Sequence, residues 1–257
     1  MHFLCVTLCR YFSVFSVAKI HNIKSNWNNK NCIFDKIIEM IVFPNCKINL
    51  GLNIVTKRKD GFHDIETVFY PIPFCDILEA VPASTTQLNI TGAQLDGSTE
   101  DNLVLKAYRL IAQDKKLPPL HFHLHKQIPS GAGLGGGSAD AAYTIKLIDQ
   151  LCELNLTIEQ QLNYARQLGS DCAFFIKNKP IFAAGKGDEF SDIDLSLKGF
   201  YIHLFKPDFH VSTADAYAGV LPDAAATSPK DIIIKPVQQW KDLLQNQFER
   251  TVFAKYP

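Results

Sequence analysis

What the sequence lacks narrows it first. No uninterrupted apolar run approaches the roughly 18 residues of a membrane span, so no spanning helix is expected. There is no collagen repeat and no polar low-complexity tract. Neither sign of charge is in excess: 26 Lys+Arg balance 26 Asp+Glu over 257 residues. That balance argues against a bulk electrostatic nucleic-acid binder, and neither nucleic acid nor membrane is an expected partner. Methionine is scarce, with two residues, and Met40 is the internal one. The seven cysteines are an odd set with no CxxC pair and no metal-like spacing, so a reduced, cytoplasmic chain is expected. What remains is ordinary globular material, 47% hydrophobic and 20% charged, enough for one large core or two small ones.

The two ends differ from the middle. Residues 1–39 carry five basic side chains against Asp35 and Glu39, and the opening stretch to Lys19 is apolar and free of acids. Arg10 interrupts any secretory apolar core and no clear AxA site follows; an amphipathic organelle-targeting segment is a second reading. The plainer one is an atypical extension ahead of a start at Met40, outside the fold. Regular patterning begins there. Ile41–Phe43 reads as a strand, and Lys47–Val55 alternates polar and apolar with period two, as a half-buried strand does. Asp60-Gly61 marks a tight reversal. Further strands are expected at 67–70, 76–81, 88–91, 120–125, 180–184 and 199–206. Helices are expected at 102–112, 138–151 and 157–168; the last opens on the capping box Thr157…Gln160 and stops at Gly169. Mixed rather than strictly alternating elements favour an α+β fold.

The strongest local signal is a glycine loop. Between a strand and an Ala-rich helix, Gly131, Gly133, Gly135, Gly136 and Gly137 fill five of seven positions. Small residues let backbone N–H groups approach an anion, and the helix start adds unpaired N–H groups and a positive dipole end. The loop therefore reads as a phosphate cradle rather than a linker. It is no P-loop, because no Lys-Ser/Thr follows the glycines. The GxGxxG string at 131–136 lacks its dinucleotide context, since a helix follows where a strand ending in an acid belongs.

Three blocks in order carry a family resemblance: Pro44-Asn45-Cys46-Lys47-Ile48-Asn49-Leu50, the loop Pro129–Ala142, and Gly169-Ser170-Asp171-Cys172-Ala173-Phe174-Phe175. Together they resemble the GHMP kinases. Asp60-Gly61-Phe62-His63 with Glu66-Thr67, and Asp101-Asn102-Leu103-Val104, are similar to blocks of the branch whose acceptor is a cytidine-diphosphate-linked polyol of the non-mevalonate isoprenoid route. The resemblance runs from about residue 41 onward. It implies a ribosomal-protein-S5 domain-2-like ATP-binding domain over 40–198. It also implies a ferredoxin-like C-terminal domain from 199 to 257, expected to be incomplete because the family's late Gly-Ser-rich motif is not found. The implied reaction moves the γ-phosphoryl of ATP, with Mg²⁺, to the acceptor's 2-hydroxyl, in a monomer or homodimer. Another GHMP kinase, of mevalonate or homoserine type, or an inactive ligand-binding relative, are the alternatives.

The resemblance also assigns residues. Lys47 is implied as the catalytic lysine near the γ-phosphate; by type alone it reads as a surface strand lysine. Asp171 is implied as the catalytic aspartate that takes the hydroxyl proton; it also reads as a helix N-cap. Pro129, Ser130, Gly131, Ala132, Gly133, Leu134, Gly135, Gly136, Gly137, Ser138 and Ala139 are implied to wrap the ATP phosphates, with Asn102 and Lys126 near the nucleotide. Ser138 either binds Mg²⁺ or caps the helix. At the acceptor end Phe62 and Tyr217 are implied as a stacking pair, His63 as reader of the base edge, and Asn49 and Thr213 as further contacts. The family often has Tyr where this chain has Phe62, so the ring is kept and the hydroxyl is lost. The row His121, His123, His125 reads as a solvated strand face rather than a metal site.

Overall fold

The computed structural model describes residues 5–9, 40–95, 97–206, 211, 213–224 and 226–255. Strand β1 is Cys5–Cys9, followed by β2 (Ile41–Val42), β3 (Asn45–Lys57), β4 (His63–Cys75), β5 (Ile77–Pro82) and β6 (Gln87–Gly92). A 3₁₀ turn at Thr99–Asp101 leads into α1 (Leu103–Asp114), then β7 (Leu120–Lys126), α2 (Gly136–Leu151), α3 (Ile158–Leu168) and α4 (Ser170–Lys177). β8 (Ile181–Ala184), β9 (Glu189–Asp192) and β10 (Tyr201–Phe205) follow. The remaining chain holds the short helices α5 (Thr213–Ala218), α6 (Pro229–Ile232), α7 (Trp240–Leu243) and α8 (Phe248–Lys255). The fold is α+β, as the mixed element order predicts.

Two four-stranded sheets organise the molecule, in orders β2-β5-β7-β6 and β3-β4-β8-β9. All pairs are antiparallel except β6–β7, which are joined through α1 and run parallel. Helices α1–α4 pack one core between the sheets, built on Leu78, Phe122, Leu124, Ile111, Ile145 and Phe175. The opposite face of β3 and β4, with Ile48, Leu50 and Val68, forms a second core with Ile128, Leu134, Ile232 and Trp240. A third joins Leu52, Ile54 and Ile65 to Ala216, Phe248 and Val252. Strand β3 is therefore buried on both faces. That corrects the half-buried expectation: its polar alternates face helices and site, not solvent. Leu52 N–H donates to Gln245 C=O and Gln247 N–H donates to Leu52 C=O, both at 2.9 Å, so β3's outer edge is covered by the chain near 246.

Several boundaries differ from expectation. The helix forecast from 138 begins at Gly136, because two glycines of the loop already adopt helical geometry. β4 extends to both sides of the expected 67–70, held by the long pairing with β3. β9, a polar four-residue strand, had no apolar alternation to announce it. Residues 5–9, set outside the fold on sequence grounds, pair antiparallel with β10. Among the described residues no helix is long and apolar enough to cross a membrane.

Candidate active site

The glycine loop leaves β7 at Lys126 and enters α2 at Gly136. Gly131, Gly133 and Gly135 take positive φ of 66°, 73° and 71°. Alternating left-handed residues turn successive N–H groups to one side, which makes an anion-binding concavity. Lys47 N–H donates to Leu134 C=O at 2.9 Å and stitches the loop to β3. Gly135 is needed twice over: a Cβ there would lie 3.0 Å from Phe175 Cζ and 3.2 Å from Lys47 Cε. The loop and residues 90–95, 97–99 and 101–103 line a cleft of about 760 Å³. Asn102, Lys126 and the run 129–138 all line it. Ala139 does not; it is fully buried in α2.

Beside Gly135 stands the central pair. Lys47 is only 2% exposed, so the surface-lysine reading fails. Its Nζ lies 3.4 Å from Asp171 Oδ2, donates to Asn49 Oδ1 at 2.7 Å and sits 4.9 Å from the Phe69 ring centroid. Asn49 in turn donates to Thr67 Oγ1 at 3.0 Å, and Thr67 donates to Gly51 C=O at 2.6 Å. This chain locks the lysine rotamer. Asp171 lies in the first turn of α4, one residue after its start, with Gly169 as the N-cap; the aspartate is not the cap. It is 37% exposed while its partner is buried, so one carboxylate faces an incoming group and one ammonium stands behind it. Ser138, in the first turn of α2, shares a hydrogen bond with the Cys172 thiol, while burial pushes that thiol up to about 12.

Beneath the loop is a cluster of which sequence reasoning named only Lys126. Asp76, wholly buried between β4 and β5, pairs with Lys126 Nζ, which also lies 2.8 Å from Asp140 Oδ2. Asp76 Oδ1 accepts the N–H groups of Gln127 and Ile128 at 2.6 and 2.8 Å. Burial, opposed in part by Lys126, pushes the Asp140 carboxyl up to about 7. No motif marks Asp76; the signal available was an acid in an apolar strand run, Phe74-Cys75-Asp76-Ile77-Leu78.

At the acceptor end His63 and Tyr217 are in contact and Phe62 stands apart. The His63 ring stacks on Tyr217 at 4.7 Å and 19°, and Tyr217 meets Phe248 edge-on at 4.8 Å. Phe62 is 59% exposed, with Lys186 Nζ 5.3 Å from its centroid. Phe62 and Tyr217 are thus not stacked on each other. Burial first, and the Asp171 carboxylate second, push the Tyr217 phenol above its usual range. The side chain of Thr213 lies outside the described residues. Of the histidine row, His121 and His123 rings lie 4.1 Å apart and His125 Nδ1 bonds Thr91 Oγ1 at 2.9 Å. Among the described residues no His/Cys/Asp/Glu cluster is disposed to hold a metal ion.

A glycine cradle at a helix start, a buried lysine and a half-open carboxylate define a phosphotransferase for small molecules. Comparison with known proteins agrees. The family model of the GHMP kinases N terminal domain matches residues 102–179. A 4-diphosphocytidyl-2-C-methyl-D-erythritol kinase of Bacteroides fragilis is 53% identical over 222 residues, covering 85% of this chain and 81% of that protein. The enzyme of the same name from Parabacteroides distasonis is 51% identical over 218 residues, covering 85% and 80%. A crystal structure of 4-(cytidine 5'-diphospho)-2C-methyl-D-erythritol kinase superposes with a TM-score of 0.65 at 26% identity, covering 85% of this chain and 79% of that one. The chain belongs to the GHMP kinases, in their 4-diphosphocytidyl-2-C-methyl-D-erythritol kinase family.

Proposed function

We propose that the protein transfers the γ-phosphoryl group of ATP to the 2-hydroxyl of 4-diphosphocytidyl-2-C-methyl-D-erythritol, a step of non-mevalonate isoprenoid precursor synthesis. The observation that carries the reading is the Lys47–Asp171 pair, 3.4 Å apart and packed against the glycine loop. The phosphates of ATP lie along the N–H groups of the loop and the first turn of α2. The acceptor oxygen forms its bond to Pγ as the bond from Pγ to the bridging oxygen of ADP breaks. Asp171 takes the hydroxyl proton, and the Lys47 ammonium offsets charge gathering on the transferred group.

Mg²⁺ accompanies the nucleotide in this reading. The oxygen donors at hand, the Ser138 hydroxyl and the Asp171 carboxylate, suit a hard cation. When bound, the ion spreads the phosphate charge. At the other end, moving His63 off Tyr217 frees a ring face for the cytosine. Phe62 then supplies the second face, and His63, Asn49 and Thr213 contact the acceptor.

The test is Asp171→Asn with both substrates. Turnover falls at least about 10²-fold while ATP affinity stays near that of the parent. Equal turnover removes Asp171 from the chemistry. A panel of acceptors accompanies it: preference for mevalonate or homoserine over the cytidyl substrate overturns the acceptor assignment.

A further inference from the structure

The cluster of Asp76, Lys126 and Asp140 has no place in the reaction as written. All three side chains are buried, at 0%, 2% and 3% exposure. Two acids and one base removed from water are costly, so what they hold in place is the question. Here the arrangement is visible. Asp76 receives the Lys126 ammonium and the consecutive N–H groups of Gln127 and Ile128, so it fixes the backbone where β7 ends. Asp76 N–H itself donates to Pro44 C=O at 2.9 Å, next to the strand that carries Lys47. Lys126 Nζ reaches on to Asp140 Oδ2, in the second turn of α2. One ammonium thereby ties the strand exit to the helix entry. The packing around it is tight: a Cβ on Gly136 would stand 3.3 Å from Lys126 Nζ and 2.9 Å from Ile128 Cγ2. A Cβ on Gly92 would stand 2.2 Å from the Lys126 carbonyl oxygen.

We propose that Asp76, Lys126 and Asp140 form a buried strut that pins both ends of the glycine loop, making Asp76 a positioning residue for the nucleotide phosphates. Lys126 acts through the strut and not as a phosphate ligand. The inference rests on the kinase reading for its consequence, but the strut itself is testable without nucleotide. In the strut, the loop between Gln127 and Gly135 is held at its two ends before any ligand arrives, so its N–H groups are already aimed. Loss of one member frees an end and the N–H groups must be ordered at binding, which weakens binding and leaves the reacting groups in place.

The experiment uses the full chain with Asp76→Asn, the milder Asp140→Asn and, as a control, Leu120→Ala. Leu120 is buried at the far end of the same strand. Amide hydrogen exchange over residues 127–135 in the nucleotide-free protein rises about tenfold in both strut variants and is unchanged in the control. The KM for ATP rises about tenfold in Asp76→Asn, while the acceptor KM and kcat at saturating ATP stay within about threefold. Unchanged loop exchange in both strut variants, whatever the kinetics, overturns the strut. Faster exchange with an unaltered KM for ATP overturns the link to phosphates and leaves the kinase reading standing. A parent that does not phosphorylate the cytidyl substrate defeats the kinase reading, and the exchange result still decides the strut. Should Asp76→Asn fail to fold, Asp140→Asn decides, since Lys126 keeps Asp76 as a partner there.

Discussion

The same substitution two residues apart should act in opposite directions. Gly135 sits at φ 71°, and a Cβ there would lie 3.0 and 3.1 Å from Phe175 and 3.2 Å from Lys47 Cε. Gly135→Ala therefore meets two costs. The left-handed backbone disfavours a side chain by about 1–2 kcal/mol. Pushing a methyl into a filled site adds about 1–3 kcal/mol. Phe175 is fully buried and is not the free end of a flexible chain, so neither neighbour yields cheaply. The sum, about 2–5 kcal/mol, lowers Tm by roughly 5–15 °C in a chain of this size. Gly137 is helical, with no positive φ, and its Cβ would meet only Leu103 Cδ1 at 3.8 Å. There, Gly137→Ala reduces the freedom of the unfolded chain and raises stability by about 0.5–1 kcal/mol. The assay is thermal unfolding without nucleotide, followed by turnover. Gly135→Ala presses Lys47 aside by a few tenths of an ångström and lowers kcat, by less than the roughly 10²-fold of a full 1 Å misplacement. If the two variants shift Tm in the same direction by similar amounts, the backbone argument for the loop is wrong.

Three further outcomes follow from the geometry. Phe62→Ala and Tyr217→Ala raise the acceptor KM about ten- to a hundredfold and spare ATP affinity, on the scale of 1–3 kcal/mol per stacked base. Of the two, only Tyr217→Ala also lowers Tm, because Tyr217 packs on Phe248 and His63 whereas Phe62 is exposed. Lys146, whose Nζ donates to Phe175 C=O at 2.8 Å, is pulled down to about 8 by burial. The unfolded chain then holds a proton that the folded chain has lost between about pH 8 and 10.4. This lysine's contribution accordingly rises with pH across that window, by at most about 3 kcal/mol. Chemical denaturation at pH 7.5, 9 and 10.5 reads it as a slope in the parent that Lys146→Met lacks; parallel slopes contradict it.

How much of this was legible beforehand depended on the range of each interaction. The glycine loop, the capping box at Thr157 and the stop at Gly169 are local in sequence and emerged where expected. Lys47 and Asp171 could be named from their motifs, but not their burial. Whether β3 is half or wholly buried depends on what covers its second face, and that cover comes from residues 128–134 and 232–240. Asp76 escaped notice for the same reason: its partners lie 50 to 52 residues on, and an acid amid apolar neighbours says nothing of which groups it meets. Phe62 and Tyr217 could be named from their motifs, but the contact of Tyr217 with His63 could not. Sequence places rings near one another; which two touch depends on the packing around them, and here His63 lies on Tyr217.

The late cover on β3's outer edge also bears on how the chain is made. Ile54 N–H waits for Gln247 Oε1, 193 residues downstream, and Ile54 C=O waits for Asp223 N–H. β3 and β4 pair locally as a hairpin, so that edge exists long before its partner is synthesised. At about 5–20 residues per second the interval is roughly 10–40 s on the ribosome. During that time a long apolar strand offers unpaired backbone groups to any other nascent chain. The irregularity at Gly51 answers this hazard. Its φ of 69° and the register shift between Leu50 and Leu52 break the strand in mid-course. A bent, twisted edge is a poorer template for a foreign strand than a straight one, until Asp223 and Gln247 pair with it.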